Sequence, residues 1–96
     1  MRLEKDVAIE FQKQVGENIK RKRKEKKLTL EQLGLEVGLT RMQINRIEKG
    51  YNITLTTLLK ISLALEINAF EILNFEYKLN KVDLERLVNN NKSTKK

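Results

Sequence analysis

Leu28-Thr29-Leu30-Glu31-Gln32-Leu33-Gly34-Leu35-Glu36-Val37-Gly38-Leu39-Thr40-Arg41-Met42-Gln43-Ile44-Asn45-Arg46-Ile47-Glu48-Lys49-Gly50 carries two helix starts and two glycine stops in one short stretch. Thr29 is placed to cap a helix from Leu30 to Val37, and Gln32 three residues later completes a capping box. Leu33 and Val37 then share one face at i and i+4. Gly38 follows where a helix end favours a left-handed backbone, so the chain can stop and reverse. Thr40 caps a second helix, Arg41 to Lys49, with Ile44 and Ile47 facing inward and Gly50 as its stop. The spacing predicts a helix-turn-helix. Arg41, Met42, Gln43, Asn45, Arg46 and Lys49 are left outward, and no core needs that set.

The run from Gly38 to Gly50 resembles the turn and recognition helix of the lambda-repressor-like (Cro-type, XRE-type) helix-turn-helix DNA-binding family, most tellingly in Ile47-Glu48-x-Gly50. The resemblance extends from about Val15 to about Leu73, because Ile19, Arg23, Leu33, Thr54, Leu58, Ile61, Leu65 and Ile67 stand where that domain wants them. It implies an all-α fold: a five-helix lambda-repressor-like domain over 15–73, preceded by a helical extension, 1–14, and followed by a short C-terminal segment, 74–88.

Composition agrees with this class. The 96 residues suffice for one modest core, and the net charge of +7 suits a polyanionic partner, because basic groups gain affinity by displacing counterions from nucleic acid. A merely well-solvated surface is the plainer reading of the charge. There is no cysteine and no histidine, which removes disulfides, thiolate metal sites, the commonest general base and the commonest neutral metal ligand. No catalytic constellation, metal site or cofactor is expected, and an enzyme is the least supported class. No apolar run approaches the roughly 20 residues of a membrane span, and Met1 to Asp6 lacks a signal-peptide core, so a cytoplasmic protein without membrane contact is expected. The chain has no proline and four glycines, and it shows no sustained alternation of the kind a buried sheet needs.

Outside the motif, Leu3, Val7, Phe11, Val15 and Ile19 recur every four residues and predict a first helix from Glu4 to Lys26, with Gly16 loosening its middle. The extension has two candidate roles, packing on the chain's own last segment or sharing in a dimer contact. The run Lys20 to Lys27 is rich in cations; a helix C-terminus favours part of it without any ligand, and part of it is a candidate to face phosphates. Thr54 caps a helix from Leu55 to Leu65 that is apolar almost all round. Leu58, Ile61 and Leu65 can line the core, whereas Leu55, Leu59 and Leu63 form a second stripe that Phe70 and Leu73 of a short helix, Ala69 to Leu73, extend. These five are the candidate dimer interface, the alternative being cover from the chain's own ends. Phe75, Tyr77 and Leu79 alternate as a short strand would, Asn80 is placed to cap a helix from Lys81 to Val88, and 89–96 reads as a disordered basic tail.

The resemblance implies division of labour within the motif. Arg41, Met42, Asn45 and Arg46 occupy its base-facing positions, where arginine can pair with guanine, asparagine with adenine, and methionine with a thymine methyl. Thr40, Gln43, Lys49, Tyr51, Asn52 and Thr54 lie where the family grips phosphates. Arg23 and Glu48 are where it pairs an arginine of the first helix with a glutamate of the recognition helix. Leu30 replaces a polar residue that the family commonly uses as a phosphate anchor, Gly34 a small alanine, and Ile53 a frequent proline.

Double-stranded DNA is thus the expected partner, and a sequence-specific transcriptional regulator, acting as a homodimer on an inverted repeat, the expected function. The alternatives are an antitoxin, for which 1–14 or Phe75 to Val88 offers a toxin-binding surface, and a protein-interaction adaptor that uses the domain as scaffold. The family also includes restriction–modification controllers. Glu31 and Glu36 are candidates for an RNA polymerase contact, beside the ordinary role of solvent-facing acids.

Overall fold

Short polar side chains start four helices of the chain. In this computed structural model, which describes residues 7–76 and 81–94, the hydroxyls of Thr29, Thr40 and Thr54 accept from the backbone N–H groups of Gln32, Gln43 and Thr57, and the Asn68 side chain accepts from Phe70. These caps open α2 (Leu30–Val37), α3 (Arg41–Glu48), α4 (Leu55–Leu65) and α5 (Ala69–Leu73). A long α1 (Val7–Glu25) precedes them and α6 (Lys81–Thr94) follows. Among the described residues there is no strand, and the fold is all-α.

Helices α1 to α4 stop by one device. The N–H of Leu28, Leu39, Tyr51 and Ile67 reaches back five residues to the carbonyls of Arg23, Gly34, Arg46 and Ser62 at 2.9–3.1 Å, and the residue just before each donor is left-handed. Gly38 and Gly50 fill two of these positions. Lys27 and Glu66, at φ 61° and 59°, fill the others and carry no glycine signal in the sequence. The first helix accordingly ends at Glu25, one residue before the expected Lys26; its expected start at Glu4 and its Leu3 lie outside the described residues.

The core lies where these helices converge. Ile19, Leu33, Ile44, Ile61 and Ile72 are fully buried, with Val15, Val37, Ile47, Leu58 and Leu65 around them. The helix α1 packs on α3, α4, α5 and α6, and α2 packs on α3 and α4, so the first helix braces most of the fold. Its polar contacts do the same. Asn18, buried, donates Nδ2–H to the Ile72 carbonyl at 2.7 Å and thereby holds the end of α5, while Lys22 meets Glu71 at 3.2 Å and Lys26 meets Glu66 at 3.0 Å. The Asn68 N–H and, second, Lys22 hold the Glu71 carboxyl below its ordinary pKa. That sign means the contact supports the fold above the ordinary carboxylate range and weakens as pH falls.

Gly16 is a contact site rather than a soft point in α1. A Cβ there would stand 2.5 Å from the Ile47 carbonyl oxygen and 2.6 Å from that of Glu48, so the α1 backbone rests directly on the end of α3. Gly16→Ala is expected to destabilise by about 1–3 kcal/mol through overpacking, although alanine favours an open helix by about 1 kcal/mol. Urea denaturation beside the exposed neighbour Glu17→Ala measures it, and a stabilised Gly16→Ala would show that the backbones do not meet so closely.

The chain ends follow the sequence expectation at the N-terminus and depart from it at the C-terminus. The extension packs on the chain's own C-terminal segment: Val7 is buried, and the Phe11 and Phe75 rings lie 5.2 Å apart at 55°. Asn74 to Glu76 form no strand, and Tyr77 to Asn80, including the cap expected at Asn80, lie outside the described residues. The last helix runs through Thr94, well past Val88, so Asn89 to Thr94 are helical where disorder was expected; Lys95 and Lys96 lie outside the described residues. The asparagines of 89–91 are weak helix formers and Lys92 a good one, and continuation of an already nucleated helix costs far less than starting one.

Candidate nucleic-acid interface

The turn between α2 and α3 sets the pose of the second helix. A Cβ on Gly34 would stand 2.5 Å from the Leu39 carbonyl oxygen, so the turn folds tightly over α2 before Thr40 starts α3. With Ile44 and Ile47 buried, the rest of α3 faces outward: Arg41, Met42, Gln43 and Arg46 are exposed and Asn45 is half-buried. Met42, two-thirds exposed, gains nothing from the core.

Thr40 and Gln43 form a second capping box that the sequence reading did not resolve. The Thr40 N–H donates to Gln43 Oε1 at 2.8 Å, and Thr40 Oγ1 accepts from the Gln43 N–H at 3.1 Å. Both acceptor atoms are engaged in starting the helix, which leaves the Thr40 hydroxyl hydrogen and the Gln43 amide hydrogens as donors. Donors at a helix N-terminus suit an anion. The signal was present, because Thr-x-x-Gln occurs here as it does at Thr29 and Gln32.

Beyond α3 the loop of residues 49–54 turns across the same side. The Arg46 guanidinium sits 5.6 Å from the centre of the Tyr51 ring, a cation–π contact that restrains both side chains. Asn52 Oδ1 accepts from the Ile53 N–H at 2.9 Å, and Thr54 caps α4. Gln43, Arg46, Tyr51, Asn52 and Thr54 together line an open cleft of about 270 Å³ between α3 and the start of α4. Lys49, at the α3 end, is exposed. Of the expected site residues, Gln43, Arg46, Tyr51, Asn52 and Thr54 are thus brought together around one cleft, while Arg41, Met42, Asn45 and Lys49 lie along α3 and its end outside that lining.

Behind this face Arg23 and Glu48 form a buried bidentate pair, Nε to Oε2 at 2.7 Å and Nη2 to Oε1 at 3.0 Å, and Arg23 Nη1 also donates to the Leu28 carbonyl at 2.8 Å. It ties α1 and the start of α2 to the end of α3.

The second apolar stripe stays open to solvent in the single chain. Leu55 is 82% exposed, Leu63 67%, Phe70 65%, Leu59 54% and Leu73 40%. Among the described residues neither end covers it, and α6 packs on α1. Three core contributors escaped the sequence reading. Ile72 is fully buried between the two exposed neighbours named for the interface; Ser62 bonds the Leu58 carbonyl at 2.8 Å; Asn18 holds α5. Among the described residues, no cluster of three acidic, histidine or cysteine side chains could hold a metal, and no helix is long and apolar enough to cross a membrane.

The sequence profile of the helix-turn-helix family matches residues 19–72, more than half of the chain. No curated protein matches in sequence. Among solved structures, the chain is similar to the restriction-modification controller protein C.AhdI from Aeromonas hydrophila, with 30% identity, 68% of this chain and 90% of that chain covered, and a TM-score of 0.59. It also shares its fold with the hypothetical transcription factor NHTF from Neisseria, at 24% identity over 91% of each chain and a TM-score of 0.62.

Proposed function

The chain belongs to the helix-turn-helix family, and from that premise we propose that this DNA-binding transcriptional regulator works as a cytoplasmic homodimer reading an inverted-repeat operator through α3. The observation that carries the reading is the outward polar face of α3, held rigidly by its capping box and the Arg23–Glu48 pair and serving no packing purpose. Arg41, Met42, Asn45 and Arg46 enter the major groove and read base edges, with the arginines selecting guanine and Asn45 adenine. Thr40, Gln43, Lys49, Tyr51, Asn52 and Thr54 grip phosphates on either side and fix register.

A single reading helix spans few base pairs. Two copies joined through Leu55, Leu59, Leu63, Phe70 and Leu73 would place two α3 helices on one face of the duplex, with half-site centres about 34 Å apart, one turn. The likeness to C.AhdI favours, within this reading, a role as controller of a restriction–modification system.

Selection of bound duplexes from a random pool tests the proposal. The expected product is an inverted repeat with guanine in each half-site, and Arg46→Ala is expected to relax preference at one position per half-site, costing about 1–3 kcal/mol there. A pool that shows no enriched sequence would refute sequence-specific reading.

A further inference from the structure

The N-terminal half of α1 precedes the residues that match the family, yet it reaches the loop that follows α3. A Cβ on Gly50 would stand 2.7 Å from Lys13 Cγ and 3.1 Å from Lys13 Cα, so the lysine stem lies across the Gly50 backbone. Gly50, at φ 105°, makes that approach feasible because no side chain intervenes. The stem continues from there with two methylenes and the ammonium, and the residue as a whole is exposed. Lys49, Tyr51 and Asn52 flank the same glycine.

Lys13 has no internal use for its charge. Among the described residues it makes no ion pair or hydrogen bond, whereas Arg21, Lys22, Arg23 and Lys26 of the same segment all pair with carboxylates. Its charge is also unexplained by the helix dipole, which favours cations only in the last turn, Lys22 to Lys24 here. On the helix surface Lys20 and Lys24, seven and eleven residues on and both exposed, continue its row. Gly16, next to that row, rests on the carbonyls that end α3. The row therefore borders the recognition helix and meets its following loop at Lys13.

We infer that Lys13 is a DNA phosphate contact supplied by the N-terminal extension, widening the grip of the 49–54 loop beyond the helix-turn-helix core. The inference rests on the DNA-binding reading above. A stem already laid on Gly50 loses less freedom on binding than a free surface lysine, which makes the contact more favourable than its charge alone would.

Equilibrium binding of Lys13→Gln to a duplex carrying the selected consensus, and to a random-sequence duplex, tests it across salt. One phosphate contact contributes about 0.9 to the slope of log K against log salt. Per protomer, the variant's defect is expected to shrink about 3.5-fold between about 50 and 200 mM salt, equally on both duplexes. Lys13→Arg is expected to restore the slope, and Lys60→Gln on α4, a control for lost charge, to leave it unchanged. Thermal melting of all three should match the wild type. A wild type that binds no duplex would overturn the DNA reading itself. A binding wild type whose salt slope survives Lys13→Gln, or falls equally with Lys60→Gln, would overturn only the assignment of Lys13.

Discussion

Glu48→Ala is expected to remove about 3–5 kcal/mol of folding stability, because it strands a buried arginine rather than merely deleting a contact. The two side chains are 8% and 3% exposed, and Glu48 accepts both of the bonds that neutralise Arg23. What remains for the guanidinium is the Leu28 carbonyl, which satisfies one donor and none of the charge. For a domain of this size each 1 kcal/mol lowers Tm by roughly 4–8 °C, so the loss takes a large share of an ordinary stability of about 5–15 kcal/mol. DNA affinity is expected to fall in parallel, since Glu48 ends the helix proposed to read the operator. Glu48→Gln, which keeps an acceptor but not the charge, should fall between the two. Replacing both residues by apolar ones of similar volume should recover much of the stability, because the cost lies in the unpaired charge. Urea denaturation of the single variants and the double one measures this coupling. Unchanged melting of Glu48→Ala would mean the pair contributes nothing.

Legibility in the sequence followed the range of the interaction. Local signals were read directly: Thr29, Thr40 and Thr54 announce helix starts within three residues, and Gly38 announces a stop. The resemblance carried longer information, since the Arg23 and Glu48 positions are 25 residues apart and no local rule joins them. What escaped was set by packing between distant segments. Gly16 reads as a weak helix residue until the carbonyls of Ile47 and Glu48 are seen beneath it. Asn18 carries no signal in the sequence for its role, which is to reach the Ile72 carbonyl 2.7 Å away. The stops at Lys27 and Glu66 carry no glycine, so only the backbone reveals them. Of the candidate site, the outward set on α3 was legible as a remainder after the core was assigned. The engagement of Gln43 with Thr40 was equally legible from Thr-x-x-Gln spacing, and the phosphate-contact expectation masked it.

Leu59→Glu is expected to give a folded monomer that binds the operator about 10²–10⁴-fold more weakly than the wild type, the factor lost when two readers are no longer linked. Leu59 lies in the middle of the stripe and is 54% exposed in the single chain, so a carboxylate there costs the protomer's own fold little. Across a twofold interface the same carboxylate would meet either its own copy or the leucines around it, and burying an unpaired charge against apolar surface costs several kcal/mol. Association itself costs about 4–15 kcal/mol in lost freedom. Fully burying one leucine or phenylalanine returns about 1.5–3 kcal/mol. Because 40–82% of each side chain is still exposed in the single chain, five from each copy offset a cost of the same order, and one central charge suffices to reverse so close a balance. Leu35, at 76% exposure on α2 and outside the stripe, supplies the control: Leu35→Glu should leave oligomeric state intact. Light scattering at micromolar concentration, with melting of each variant, separates loss of pairing from loss of folding. A wild type that is monomeric both free and on DNA would remove the reason for the stripe's exposure to involve a second copy. A Leu59→Glu dimer of unchanged affinity would place the interface elsewhere on the surface.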